Sequence, residues 1–305
     1  MLVRELVEGQ EIDQVLLVRD RSRGGERLHL KLGDRTGCVR ATVRSDAAPC
    51  CEPGAVVHVT GRYAGGELEV RDVRPVAEDA YDLTELLDGP PRSAPGMEAD
   101  LRELLGTVQN PHLRALLDAV FGPASPTWPQ FRDAPAAKRY HQAYQHGLLE
   151  HSLTVAQAVS AISATFPGID RDVAVTGALL HDIGKLEAYT ADPLAIDMTD
   201  LGKLQGEIPL GYYRIRRLIE DLPGFPDQLA AAVLHIILAH HGTLEHGSPV
   251  VPCTREATLV HMIDNLGGRL GSFDRLEKEL PDGSRWSPFD RALSGSAWFS
   301  ERRAA

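Results

Sequence analysis

Cysteine is scarce and unpatterned in this chain. Its four cysteines, Cys38, Cys50, Cys51 and Cys253, show no Cys-x-x-Cys spacing, so neither a disulfide framework nor a zinc ribbon follows from them. Long apolar runs are also missing. The longest, Leu229 to Ala239, holds eleven residues including His235, too few to span a bilayer. The opening Met1-Leu-Val-Arg-Glu has no basic segment leading into an apolar core, so a signal peptide is not expected and the reducing cytoplasm is the expected compartment. Aromatic residues make up only 6% of the chain, and Tyr63 is the sole one within residues 1–75. Positive charge is short too: 32 Lys+Arg against 43 Asp+Glu give a net charge of −11, against the basic balance of a plain nucleic-acid binder.

What is present is an ordinary folded composition, 43% apolar and 25% charged, at a length of 305 residues that suits two domains. Residues 1–75 carry equal numbers of acidic and basic side chains, so the whole negative balance lies beyond them. Ten of the twelve histidines lie beyond residue 100. The first 80 residues alternate with period two in short runs: Gln14-Val-Leu-Leu-Val, Leu28-His-Leu-Lys-Leu, Cys38 to Arg44, Ala55 to Gly61 and Glu67 to Val73. The polar stretch Arg19 to Arg27 reads as the first turn, and Gly-rich turns separate the other runs, which suggests a small five-stranded barrel. Residues 81–96 read as a linker that ends in the helix-breaking Asp88-Gly-Pro-Pro-Arg-Ser-Ala-Pro-Gly. From Met97 the period turns helical, with stripes Leu101, Leu104, Leu105, Val108 and Leu113, Leu116, Leu117, Val120. Further helices are expected over Tyr140–Phe166, Arg171–Leu180, Ile208–Leu222, Gln228–His240, Arg255–Arg269 and Phe273–Glu279. The fold class is therefore multidomain α and β: a barrel over 1–80, then an all-α helical bundle over 97–305.

The bundle carries the chemistry. His181-Asp182 ends an apolar helix, and Gly184 and Lys185 follow. An adjacent imidazole and carboxylate can converge on one cation, the carboxylate bridging to a second. Lys185 would then face the anion that the metals hold. His151 lies thirty residues earlier, His240-His241 ends another helix, and Asp264 sits on an otherwise apolar one, where a buried carboxylate needs a partner. Histidines and aspartates on successive helices can supply one or two divalent ions in a bundle core. His235 and His240 differ in direction by about 140° on one helix, so His235 reads as a packed or supporting histidine. His261, three residues before Asp264, reads equally as a residue orienting a ligand or as core.

The order His151, His181-Asp182, His240-His241, Asp264 resembles the HD superfamily of metal-dependent phosphohydrolases. The strings Tyr140-His-Gln-Ala-Tyr-Gln-His-Gly-Leu-Leu-Glu-His-Ser-Leu, Leu179-Leu-His-Asp-Ile-Gly-Lys, Leu234-His-Ile-Ile-Leu-Ala-His-His-Gly, Gly247-Ser-Pro-Val-Val-Pro and Ile263-Asp-Asn-Leu are similar to those of YhaM-type 3′→5′ exoribonucleases. The resemblance covers roughly residues 10–295 and implies an N-terminal OB fold joined to a C-terminal HD domain. It implies His151, His181, Asp182 and Asp264 on a first ion. Asp182 would bridge to a second ion on Glu207 and His240, with His241 completing that shell or binding phosphate. Asp182, Lys185 and His241 are the expected catalytic residues, and manganese the expected metal, with iron, cobalt or zinc as alternatives. Three positions depart from the pattern: Glu207 stands where the family has histidine, Gly267-Gly268 replaces Asp-Ala and loosens a helix end, and His146 replaces a glycine.

The expected partner is single-stranded RNA, with DNA as an alternative substrate and nucleoside 5′-monophosphates as products. Arg19, Arg21, Arg23 and Arg27, followed by Arg35, Arg40 and Arg44, supply a basic surface on the barrel, and Arg214 and Arg217 share a face of one helix. With a single aromatic beside them, the barrel arginines suit salt-sensitive phosphate tracking rather than base reading. Contacts within a homo-oligomer are the alternative use of the barrel; no membrane contact is expected. Rival readings are an HD phosphohydrolase acting on small nucleotides or cyclic dinucleotides, and a non-catalytic nucleic-acid binder with a degenerate site.

Overall fold

Alternation of apolar and polar residues starts at Glu11 and sets the first unit. The computed structural model describes residues 2–87, 89–138, 142–278, 280 and 283–300. Five strands, β1 (Glu11–Gly24), β2 (Arg27–Asp34), β3 (Gly37–Arg44), β4 (Val56–Ala64) and β5 (Glu67–Pro75), close a barrel in the order β1-β2-β3-β5-β4. All neighbours are antiparallel except β3 and β5, whose parallel pairing completes the ring. This is the OB-type barrel expected. Leu16, Leu28, Leu32, Val57, Val59 and Leu68 fill its interior. β4 slips register against β5 between Thr60 and Gly61; a Cβ on Gly61 would lie 2.3 Å from the Glu69 carbonyl, so only glycine fits that bulge.

Two expectations change here. The polar stretch Arg19–Arg27 is not a turn. β1 runs on through Arg19, Arg21 and Arg23 after a bulge between Val18 and Asp20, and the hairpin turns only at Gly25-Glu26. Polar side chains on the outer face of a half-buried strand leave the ladder intact, so composition alone mimics a loop. Nor is the stretch after the barrel featureless: a short helix α1 (Leu83–Leu86), capped by the Asp82 carboxylate accepting from the Thr84 amide, buries Leu86 with Leu17 and Val56. The chain up to Gly89 forms the first unit together with Asp192–Ala195, and the remainder from Pro90 forms the second.

The second unit is helical: α2 (Ala94–Gly106), α3 (Pro111–Phe121), α4 (Thr127–Asp133), α5 (Gly147–Ser163), α6 (Arg171–Leu180), α7 (Lys185–Ala188), α8 (Asp200–Gln205), α9 (Glu207–Glu220), α10 (Asp227–Ala239) and α11 (Arg255–Lys278). Both leucine stripes turn into the core, where Phe121 meets Trp128 and Phe131 edge-on. Helix α6 starts where the Asp170 carboxylate accepts from the Val173 amide, and from Val173 to Leu180 every residue is buried. It lies against α5, α10 and α11. A central helix buried from Val173 onward thus ends in the middle of the unit and delivers whatever follows it to the interior. Helix α5 starts at Gly147, later than expected, because His146 before it takes a left-handed φ of 68°. The two helices expected at the end are one: α11 runs straight through Gly267-Gly268. Its packing on α5, α6 and α10 outweighs the roughly 1 kcal/mol that each glycine costs a helix.

Candidate metal centre

Four helices deliver the candidate ligands. His151 lies in the second turn of α5, His181 and Asp182 directly follow α6, His240 and His241 follow α10, and Asp264 lies midway along α11. His151 Nε2 is 3.2 Å from Asp182 Oδ2, 3.1 Å from Asp264 Oδ1 and 3.2 Å from His181 Nε2. His181 Nε2 is 3.3 Å from Asp182 Oδ2 and 3.8 Å from Asp264 Oδ1. The other Asp182 oxygen, Oδ1, lies 3.6 Å from His240 Nε2. One carboxylate therefore faces two groups of imidazoles with separate oxygens. His151, His181 and Asp182 are all buried, and their donor atoms all lie within 4.8 Å of one another.

The imidazoles are held for ligation. His181 Nδ1 donates to the Ala178 carbonyl at 2.7 Å, and His240 Nδ1 donates to the Ile237 carbonyl at 2.8 Å. A carbonyl only accepts, so each ring carries a proton on Nδ1 and points Nε2 inward. His240 Nε2 is buried and has no hydrogen-bond partner. An orphaned buried nitrogen beside the Asp182 carboxylate is what a cation would satisfy. His261 Nδ1 donates to the His240 carbonyl at 2.7 Å, which holds the end of α10 against α11.

The electrostatics make the same demand. Burial penalises the Asp182 and Asp264 carboxylates, yet the surrounding Lys185, His181 and His151 hold both well below the usual range. Burial would lower His151 and His181, but the two aspartates raise both, His181 to about 10. The cluster thus binds positive charge against a desolvation cost, and a divalent ion meets that need with several ligands at once.

Lys185 opens α7 and donates to Asp182 Oδ2 at 2.7 Å. Glu207 opens α9, and its Oε1 lies 3.7 Å from His241 Nε2. Burial and the neighbouring His240 keep the His241 imidazole below its ordinary pKa. The turn holding Lys185 meets α9 closely: a Cβ on Gly184 would stand 1.9 Å from the Glu207 carbonyl and 2.5 Å from the Gly211 amide nitrogen. The room Gly184 leaves is for the backbone of α9, which carries Glu207. Tyr189 is a neighbour that the sequence pattern did not single out. Its phenol is raised by burial and feels the charges of Lys185, Glu207 and Asp182; its place four residues after Lys185 was the available signal.

The remaining histidines and tyrosines of interest stand apart from this cluster. His235 Nε2 accepts from the Cys253 amide at 2.8 Å. His146 Nδ1 donates to the Arg132 carbonyl at 2.8 Å. The Tyr144 hydroxyl donates to the Glu150 carboxylate. Tyr140, which four residues before Tyr144 reads equally as part of a stacking face or as helix packing, lies outside the described residues, as do Arg139 and His141.

The arginines divide into committed and exposed groups. Arg19 donates to the Leu86 carbonyl at 2.7 Å, and Arg21 pairs with Glu52 at 2.7 Å. Arg23 and Arg27 are exposed. On the helical unit, Arg214 is tied to Glu187 at 2.7 Å, whereas Arg217 sits over the Tyr213 ring. The barrel holds a feature that the linear sequence conceals. Across β2 and β3, Arg27 stands opposite Arg44 and Lys31 opposite Arg40. Directly opposed like charges destabilise a ladder; on their other sides Arg40 stands opposite Glu67 of β5 and Arg44 pairs with Asp46 at 3.2 Å.

Comparison with known proteins agrees with the geometry. The HD domain family matches residues 148–268, which span His151, His181, Asp182, His240 and Asp264. Proteins named 3′–5′ exoribonuclease YhaM are similar over 90% of this chain: 31% identical in a Geobacillus species over 87% of that relative, and 29% identical in Bacillus subtilis over 90% of it. A third, from Halalkalibacterium halodurans, is 28% identical over 88% of its length.

Proposed function

The chain belongs to the family of YhaM 3′–5′ exoribonucleases, and on that premise we propose that it is a metal-dependent 3′→5′ exoribonuclease that shortens single-stranded RNA. The observation that carries this reading is the convergence of His151, His181, Asp182 and Asp264 beside the unpartnered, buried Nε2 of His240. The residues fit a divalent ion: imidazole nitrogens with fixed tautomers, and carboxylates held ionised. Mixed imidazole and carboxylate donors suit Mn²⁺, Fe, Co or Zn better than Mg²⁺ alone, and we assign Mn²⁺. His151, His181, Asp182 and Asp264 would hold one ion. Glu207 and His240, with His241 beside them, would hold a second, and Asp182 would serve both. Such ions supply Lewis-acid charge to the phosphodiester and make water a competent nucleophile at neutral pH.

The protein's own residues do the rest. Lys185 neutralises a non-bridging phosphate oxygen as a point charge. His241, kept neutral by burial, is free to accept or hand over a proton at Nε2 near Glu207. Attack at phosphorus releases the 3′-oxygen of the preceding nucleotide, so the products are nucleoside 5′-monophosphates. The β2–β3 face tracks the phosphate chain through Arg27, Lys31, Arg40 and Arg44, and Arg23 extends it. Tracking of this kind does not distinguish RNA from DNA, so single-stranded DNA is a second substrate. No described helix is long and apolar enough to cross a membrane, and the reducing cytoplasm is the compartment we assign.

The test is a denaturing gel of 5′-labelled single-stranded RNA with and without Mn²⁺, beside Asp182→Ala. A metal-dependent ladder shortening from the 3′ end is expected, and the variant should be slower by at least ~10³-fold, the loss of several kcal/mol of ion-mediated stabilisation. RNA left intact in every metal, with turnover of mononucleotides or cyclic dinucleotides instead, would transfer the site to small substrates, with Glu207 in the usual histidine position as the first cause to examine.

A further inference from the structure

Helix α11 has two faces. One packs into the unit and carries Asp264, Val260 and Ile263. The other is apolar and exposed. Met262 is 59% exposed, Leu266 49%, Leu270 55% and Phe273 37%. Their spacing of four, four and three puts them in one row of roughly 17 Å along the axis. Leu259 extends the row by another turn and is only half buried. Phe273 meets the Phe299 ring at 6.2 Å, and the C-terminal segment beyond α11 exposes Trp286 and Trp298, bridged to one another, to 60% and 52%. Scattered exposed leucines need no explanation, but a continuous row on one long helix does.

The sequence of that row is its own complement. When two copies of α11 run antiparallel about a two-fold axis at Leu266, residues whose numbers sum to 532 face each other. Leu266 then meets its own copy, Met262 meets Leu270, and Leu259 meets Phe273. One further layer out, Arg255, one of whose guanidinium nitrogens donates to the Gly168 carbonyl at 3.0 Å, meets Glu277 at both ends. All seven positions fall within about 80° of one another around the helix, and the outermost layer pairs opposite charges rather than like ones. Isologous pairing of this kind is what a two-fold dimer requires. Leu266 lies about 160° around the helix from Asp264, so a second copy covers the row without entering the metal centre. Single-stranded RNA is the other occupant to consider. An aliphatic Met/Leu row offers its bases no stacking surface, and the ends of the row are of opposite sign rather than uniformly basic.

We propose that the exposed face of α11 is the interface of a homodimer, formed by antiparallel pairing of α11 from two copies of this chain about Leu266. The inference is independent of the catalytic reading, since it uses none of the metal-centre residues. It is tested by light scattering on the size-excluded full chain over a concentration series, with Leu266→Asp, Arg255→Glu, Glu277→Arg and the double charge reversal. The native chain should run at twice its 33.2 kDa mass. Leu266→Asp should run at the single-chain mass with an unchanged far-ultraviolet circular-dichroism spectrum, because the replaced side chain is about half exposed within each copy. Each single charge reversal should weaken the dimer about tenfold, and the double reversal should restore it. A native chain of single-chain mass at every concentration would overturn the proposal. So would an assembly whose mass Leu266→Asp leaves unchanged, or a double reversal that fails to restore what each single reversal removes. Loss of poly(U) binding in Leu266→Asp with no change in mass would assign the face to RNA instead.

Discussion

At the scale of single residues, the centre depends on which ring nitrogen carries the proton. The Ala178 and Ile237 carbonyls decide this for His181 and His240, and they lie three residues before each histidine, within the same helical turn. The geometry of a helix end therefore orients each imidazole, and the aspartate adjacent to His181 needs no separate scaffold. His235, five residues before His240, shows the contrasting case. Its Nε2 accepts from the Cys253 amide, and burial lowers its pKa. Above about pH 6.5 it is neutral in folded and unfolded chains alike, so its hydrogen bond contributes in full. As pH falls, the unfolded chain takes up the proton more readily than the folded one, and that stability is lost. Urea unfolding at pH 7.5 and 5.5 should show an acid-side loss in the native chain that is smaller in His235→Gln. The difference should stay below about 1 kcal/mol, since the ring is partly in contact with water.

At the scale of elements, glycines mark where backbones must meet and where they need not. Gly184 brings the turn before α7 against the first turn of α9. Gly184→Ala should cost about 1–3 kcal/mol in thermal or chemical unfolding and should reduce nuclease activity further, because relief of the clash moves Glu207. Gly267 and Gly268 are the opposite case. A Cβ on either meets nothing within 4 Å, and both lie inside α11. Gly267→Ala and Gly268→Ala should each stabilise the protein by about 0.5–1 kcal/mol, read as a raised unfolding midpoint. A drop in stability for either would show that the glycine pair answers to a neighbour outside the single chain.

At the scale of the whole molecule, charge is unevenly spread. The chain carries a net −11, yet the barrel's β2–β3 face opposes cation to cation at Arg27/Arg44 and Lys31/Arg40. Replacing Lys31 by serine should therefore have two effects of opposite sign. The barrel should gain a few tenths of a kcal/mol from relieved repulsion. The affinity for single-stranded RNA should fall, and the slope of log affinity against log salt should become shallower by roughly 0.7 for each phosphate that the variant no longer neutralises. Filter binding at several salt concentrations, beside a melt, reads both. Equal salt slopes in the native chain and the variant would remove this face from the RNA path.

Linear pattern was enough for the parts that local chemistry controls. Period-two runs predicted the strands, leucine stripes predicted α2 and α3, and the His-Asp, His-His and lone Asp on apolar helices marked the candidate centre, because buried polar groups in an apolar pattern have few other reasons to be there. The same pattern misplaced what depends on pairing. Arg19 to Arg23 look like a loop until β2 supplies their ladder, and Gly267-Gly268 looks like a helix end until α5, α6 and α10 pack against α11. Three further facts emerge only once the chain is folded: that Asp182 turns one oxygen to His151 and His181 and the other to His240, that Arg40 and Arg44 face Lys31 and Arg27, and that the Met262–Phe273 row stays uncovered. Each concerns residues distant in sequence or a surface left open after packing. A one-dimensional pattern fixes which face of an element is apolar, but only packing fixes what that face meets.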